Sequence, residues 1–311
     1  VRKYITKNVR LPKVLIPYPG PILTPGAQDV FLYLRPESNG VLVESLLFRV
    51  FKSQTYSQKF AVVYLANMTG EFVVKNRIIE QHYALKIKFA RFGKAAFTRT
   101  MQENFARRFG IPFRDAKIVG SFGADRLLGM SYEDLFRLWV PPENYAVIAG
   151  QNIKKYDEYF IVNYDIPAIL HKNSRRTDFA VMICRSLLSR PEFHELVTEM
   201  QRRLVEEGVI PEDRPLTRTF HYSTGPFEQI LDGIGYLFDA QINHLPLQSI
   251  SFAAYLIRNG VGKETILRAV RNPILRFRDP DGSVFEENLF TYTMDETYPG
   301  ALEKFRQQVG A

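Results

Sequence analysis

Phe60-Ala61-Val62-Val63-Tyr64-Leu65-Ala66 is a continuous apolar run that ends at Asn67. Its length and valine content predict a buried strand rather than a surface one. Working outward, residues 29–34 and 179–184 read as further strands, with short ones at 14–16, 116–122, 145–149 and 159–164. Leu42, Leu46 and Val50 recur at helical spacing and predict a helix over 41–53. Phe97, Met101 and Phe105 step by four and predict a helix over 95–109, closed by Gly110 and Pro112. Tyr83, Leu85, Ile87 and Phe89 alternate with Ala84, Lys86, Lys88 and Ala90, which predicts a half-buried strand with a basic outer face.

Past residue 188 the pattern turns helical. Ser189-Arg190-Pro191-Glu192 has capping-box spacing, and Ser131 stands three residues before Asp134 in the same way. Phe193, Leu196, Val197, Met200 and Leu204 give the first of these helices an apolar stripe. Residues 227–238, 249–259 and 263–271 read as helices, and Asp279-Pro280-Asp281-Gly282 as a hairpin turn. The expected fold is α/β or α+β: a mixed sheet flanked by helices in the first two thirds, then a mainly helical part. The expected division is a Pro/Gly-rich arm over 1–28, a mixed domain over 29–210 and a helical region with a hairpin over 211–311.

The chain has 311 residues, 46% of them hydrophobic, with 24 Phe and 16 Tyr, which excludes a disordered chain. No apolar run reaches the ~18–20 residues of a membrane-spanning helix. No basic stretch followed by an apolar one opens the sequence, so a cytoplasmic protein is expected. The lone cysteine, Cys184, cannot form an internal disulfide, and its apolar neighbours place it in the core.

The formal net charge is +8, and its distribution points to a polyanion partner. Arg2, Lys3, Lys7, Arg10 and Lys13 precede the first acid, Asp29. Lys86, Lys88, Arg91, Lys94, Arg99, Arg107, Arg108 and Arg114 share their stretch with one acid, Glu103. Phe89, Phe92, Phe97, Phe105, Phe109 and Phe113 interleave with them, a mixture that suits single-stranded nucleic acid if the rings are exposed and a core if they are not.

Residues 251–271 read as helix, tight turn at Gly260, helix. This stretch locally resembles the helix-turn-helix of bacterial repressors, whose second helix enters the major groove. The resemblance implies that Lys263, Thr265, Arg268 and Arg271 face nucleic acid. It covers about 20 residues in the sense of that motif, and it departs from the motif at Leu256, where a small residue usually lets the helices pack closely. No family resemblance extends over the whole chain.

Catalytic and cofactor signatures fail on spacing. Gly260-Val261-Gly262-Lys263 lacks the earlier glycine of a phosphate loop, with Ile257 in its place, and Glu264 stands where Ser or Thr is needed. His82, His171, His194, His221 and His244 show no metal-ligand spacing. No cofactor or metal is therefore expected. The leading expectation is a non-enzymatic protein that binds nucleic acid or another polyanion. An enzyme acting on an anionic or phosphorylated small molecule, holding it with arginines and residues 120–129, is the first alternative. A structural or assembly protein using the arm and aromatic surface for subunit contacts is the second. Oligomeric state stays open.

Overall fold

The computed structural model describes residues 4–24, 26–35, 38–212 and 219–310. In chain order the elements begin with β1 (Lys13–Ile16), β2 (Gln28–Leu34), α1 (Val41–Phe51), β3 (Phe60–Met68), α2 (Gly70–Lys75), α3 (Ile78–His82), α4 (Ala84–Phe92) and α5 (Arg99–Phe109). Next come β4 (Lys117–Gly120), α6 (Ser121–Leu128), α7 (Tyr132–Arg137), β5 (Tyr145–Ile148), β6 (Gln151–Tyr156), β7 (Tyr159–Val162), α8 (Ile166–His171), β8 (Phe179–Ser186) and α9 (Arg190–Glu206). The chain continues through β9 (Phe220–Tyr222), α10 (Pro226–Tyr236), α11 (Ser251–Arg258), α12 (Lys263–Arg271), β10 (Ile274–Arg278), β11 (Val284–Asn288), α13 (Leu289–Tyr292) and α14 (Tyr298–Arg306). The architecture is mixed α/β, with sheets flanked by helices and helices prominent in the C-terminal part.

Two compact units emerge, each assembled from separate stretches. Unit 1 takes residues 1–78, 174–270 and 293–303; unit 2 takes 79–173, 271–292 and 304–311. The break expected near 210–211 borders residues 213–218, which lie outside the described residues.

Unit 1 is built on an antiparallel sheet of order β1-β3-β8-β2-β9 among the described residues. β2 and β8 sit inside the sheet, and nearly every residue of both is buried. This is the environment that continuous apolar runs anticipate. Val30, Leu32, Met182 and Cys184 pack on one side with Leu46, Leu47 and Val50 of α1 and Leu196, Met200 and Leu204 of α9. Cys184 is wholly buried, as its neighbours predict, and burial pushes its thiol pKa far up. Ser189 and Glu192 form the predicted capping box at the start of α9.

The arm is docked along unit 1. β1 pairs with β3, and Tyr18 donates to the Asp29 carboxylate at 2.6 Å. Arg185 meets the same carboxylate with Nε at 2.9 Å and Nη2 at 3.1 Å, and Ser251 donates to it at 2.6 Å. A buried carboxylate so fully bonded avoids the large desolvation cost of an unpaired charge.

Unit 2 is built on a sheet of order β4-β7-β6-β5, with β4 parallel to β7 and the other pairs antiparallel. Phe89, Phe97, Met101 and Phe105 from α4, α5 and the turn between them pack on one face against Ile148, Ile153, Phe160 and Val162. On the opposite face Ala124 of α6 and Leu135 of α7 meet Ile161. The β10–β11 hairpin forms with the turn expected at 279–282.

The expected strand at 83–90 is a helix. The residues between its apolar positions are Ala and Lys, strong helix formers. On α4 the wholly buried side chains are Phe89 and Ala90, while Ile87 is half-buried. The strand expected over 116–122 ends at Gly120, and helix α6 starts at once. Gly120 permits a close approach: a Cβ there would lie 2.2 Å from the Ala90 carbonyl oxygen. Gly93 faces it, since a Cβ at Gly93 would lie 2.6 Å from Gly120 N. The two glycines let the end of α4 press directly on the end of β4.

Candidate nucleic-acid interface

The basic residues read from the sequence fall into different settings. Arg2 and Lys3 lie outside the described residues. Lys7 is exposed, and Arg10 is exposed but occupied, its guanidinium paired with Asp178 and its backbone N donating to Glu71 at 3.0 Å. Lys263, Arg268 and Arg271 are exposed on α12, while Thr265 is half-buried. Gly260 makes the predicted tight turn with a φ of 86°, a conformation glycine adopts without strain. Leu256 is wholly buried, so the position that departs from the helix-turn-helix pattern is a core residue.

In unit 2 the structure gathers Lys86, Lys88, Arg91, Lys94 and Arg99 on α4, the turn after it and the start of α5. Lys94 is spent on structure, donating to the carbonyls of Arg114 at 2.6 Å and Ala116 at 3.0 Å. Arg99 pairs with Glu103 at 3.1 Å on a fully solvated helix face, a contact worth little in water. Arg108 donates to the carbonyls of Pro142 and Tyr145 at 2.9 and 2.8 Å. Lys88, Arg91 and Arg107 are exposed, and among the described residues no carboxylate forms an ion pair with them.

The interleaved aromatics divide. Phe89, Phe97 and Phe105 are 1%, 6% and 0% exposed and pack edge-on, with Phe89 and Phe97 centroids 5.5 Å apart. They are core residues and cannot stack on bases. Phe92 differs: it is 64% exposed. Lys88, Arg91 and Phe92 stand at i, i+3 and i+4 on α4, so cation, cation and ring share one side of the helix. The Arg91 guanidinium also lies 5.7 Å from the Phe122 ring centroid.

The loop expected to hold a small anionic substrate is not a loop. Residues 121–128 form α6, and Gly129 ends it in the left-handed conformation with a φ of 64°. Gly120 there serves packing and Gly129 capping.

Two groupings escaped the sequence reading. In unit 1, His221 Nε2 lies 3.7 Å from Glu228 and 3.8 Å from Asp232, and its ring stacks on Tyr33 at 4.4 Å. Glu228 and Asp232 are one helical turn apart, a spacing visible in the sequence, but their histidine comes from a strand too short to predict. In unit 2, Lys154 of β6 is 8% exposed. Its Nζ donates to the Leu138 carbonyl and stands 3.6 Å from the Tyr164 ring centroid. Burial pushes its pKa down to about 8, with Asp165 pulling the other way. Polar Gln151, Asn152, Lys154 and Lys155 hide β6 from an apolar count. The available signal was Ala149-Gly150, a two-residue hairpin loop in which φ is 45° and 73°.

Among the described residues no helix is long and apolar enough to cross a membrane. No protein-family model, characterised protein or solved structure matches the chain.

Proposed function

We propose that this protein binds single-stranded nucleic acid through the α4–α5 side of unit 2. The observation that carries the reading is the exposed triplet Lys88, Arg91 and Phe92 on one side of α4. Cations without carboxylate partners neutralise phosphates and release condensed counterions. An exposed ring beside them offers a stacking surface to any base, because every base has a π-face. Arg107, exposed on α5, adds a further cation within the same unit.

The aromatic core beneath these helices has its own part. Phe89, Phe97 and Phe105 fix the helices against the sheet, so the surface groups need little ordering on binding. Recognition of this kind is tolerant of sequence, since it reads backbone charge and base faces rather than base edges.

Filter binding with a 20-nucleotide DNA and an RNA of the same sequence, over a salt series, tests the reading. Binding at about 50 mM salt that weakens steeply as salt rises is the expected result. Absence of binding to both strands at that salt overturns it.

A further inference from the structure

We propose that Lys154 is a reactive amine that forms an imine with the carbonyl group of an aldehyde or ketone. This inference does not rest on the nucleic-acid reading.

The geometry around Lys154 is unusual for a lysine. Its side chain is buried within the helix-flanked sheet of unit 2, yet among the described residues no carboxylate lies within ion-pair distance of Nζ. Buried ammonium groups normally have a carboxylate partner, because an unpaired charge away from water is costly. Here Nζ has one backbone acceptor, the Leu138 carbonyl, and the face of the Tyr164 ring. A ring face holds a cation loosely compared with a carboxylate, and it leaves the nitrogen open to lose its proton.

The surroundings supply what imine formation needs. Tyr145 pairs directly across from Lys154 in the β5–β6 ladder, so both side chains lie on the same face of the sheet. Tyr145 donates to Asn152 at 3.1 Å. Asp165 follows Tyr164, and its field reaches Nζ without forming a pair. Its Oδ1 is buried and has no hydrogen-bond partner among the described residues. Since no ion pair joins the two, a proton passes between Asp165 and the amine by way of an intervening water.

The step balances without a co-reactant. The neutral Nζ lone pair attacks the carbonyl carbon, and the C=O π electrons move to oxygen. One amine proton passes to that oxygen, giving a carbinolamine. The second passes from nitrogen to the departing hydroxyl by way of Asp165 or solvent, and water leaves as the C=N bond forms. Burial favours the neutral amine: with its pKa near 8, Lys154 holds about two hundred times the neutral fraction of an ordinary lysine at pH 7.

The test is competitive labelling of the intact protein at pH 7 with pyridoxal 5′-phosphate, glyceraldehyde or pyruvate, each with sodium cyanoborohydride. Peptide mass spectrometry then compares reduced adducts at Lys154 with those at Lys155, its neighbour on β6, and at exposed Lys88. The expected result is at least about tenfold faster labelling of Lys154 than of either reference by one of the three probes, with a rate that rises through a midpoint near pH 8. Labelling of Lys154 by all three probes no faster than at Lys155, or with a midpoint near the usual lysine value, overturns the proposal. Both readouts use the unaltered chain, so neither depends on a variant that folds.

Discussion

The side-chain amide of Asn163 donates to the backbone carbonyl of Lys86 at 3.0 Å. This bond ties the helix that carries Lys88, Arg91 and Phe92 to the end of β7. Asn163 also donates to Gln151 at 2.9 Å and accepts from Asn152 N at 3.0 Å, and it is wholly buried. Its φ of 51° lies in the left-handed region, which asparagine enters more easily than most residues. Asn163→Ala strands the Gln151 side-chain oxygen and places Ala in that region. The expected loss is about 3 kcal/mol of stability, measured by urea denaturation, because each stranded buried group costs about 1–3 kcal/mol.

Gly120→Ala is the second prediction. A methyl group there meets backbone 2.2 Å away, and backbone cannot swing aside like a flexible side chain. The outcome expected is loss of cooperative unfolding of unit 2, or a fall in its stability beyond about 4 kcal/mol. Gly123→Ala, at a position with open space around the added Cβ, is the matched control and leaves the melting curve unchanged or slightly stabilised.

Much of this architecture was legible because burial and periodicity coincide. The runs at 30–34, 60–66 and 179–184 are apolar throughout, and β2, β3 and β8 fall there. The helix at 263–271 was readable from end to end, since Ile266, Ala269 and Val270 mark its buried side. Other features were hidden for physical reasons. An alternation of apolar residues with Ala and Lys fits strand and helix alike, and at 83–90 the packing of Phe89 with Phe97 and the close approach of Ala90 to Gly120 go with the helix. β6 was hidden because its buried positions include Gln151 and Lys154, which are satisfied by partners distant in sequence. The basic stretch was visible as composition; that Phe92 alone of its leading aromatics faces outward was not.

Phe92→Ala separates stacking from charge. Removing one stacked ring is expected to weaken binding of a single-stranded 20-mer by about 1–3 kcal/mol. Heparin, which has sulfates but no bases, is expected to bind the variant as it binds the unaltered protein. Isothermal titration with both ligands makes the comparison, and an equal loss for heparin would remove stacking from the account.

Lys154 predicts a dependence of stability on pH. Its folded pKa, about 8, lies below the unfolded value near 10.4. Between those values the unfolded chain holds a proton that the folded chain does not, so stability from this group rises with pH there. Below pH 8 both states are protonated, and the full cost of the buried charge is present. Lys154→Met is therefore expected to be more stable than the parent at pH 7 by about 2–3 kcal/mol. The gap is expected to narrow as pH climbs from 8 to 10, which denaturation at paired pH values measures. A gap that is constant with pH would show that Lys154 does not lose its proton in that range.

In the proposed binding mode, phosphates meet the exposed cations of α4 and α5. Fluorescence anisotropy with a labelled single-stranded 20-mer, from about 50 to 300 mM salt, tests it most directly when the parent is set beside Lys88→Glu/Arg91→Glu/Arg107→Glu. Three to four phosphate contacts predict a parent slope of log K against log salt between about −2 and −3, because each contact contributes about −0.7 on single strands. The triple variant, still folded by circular dichroism, is predicted to lose that slope and most of its affinity. A variant that binds with the parent's affinity and slope would contradict the claim.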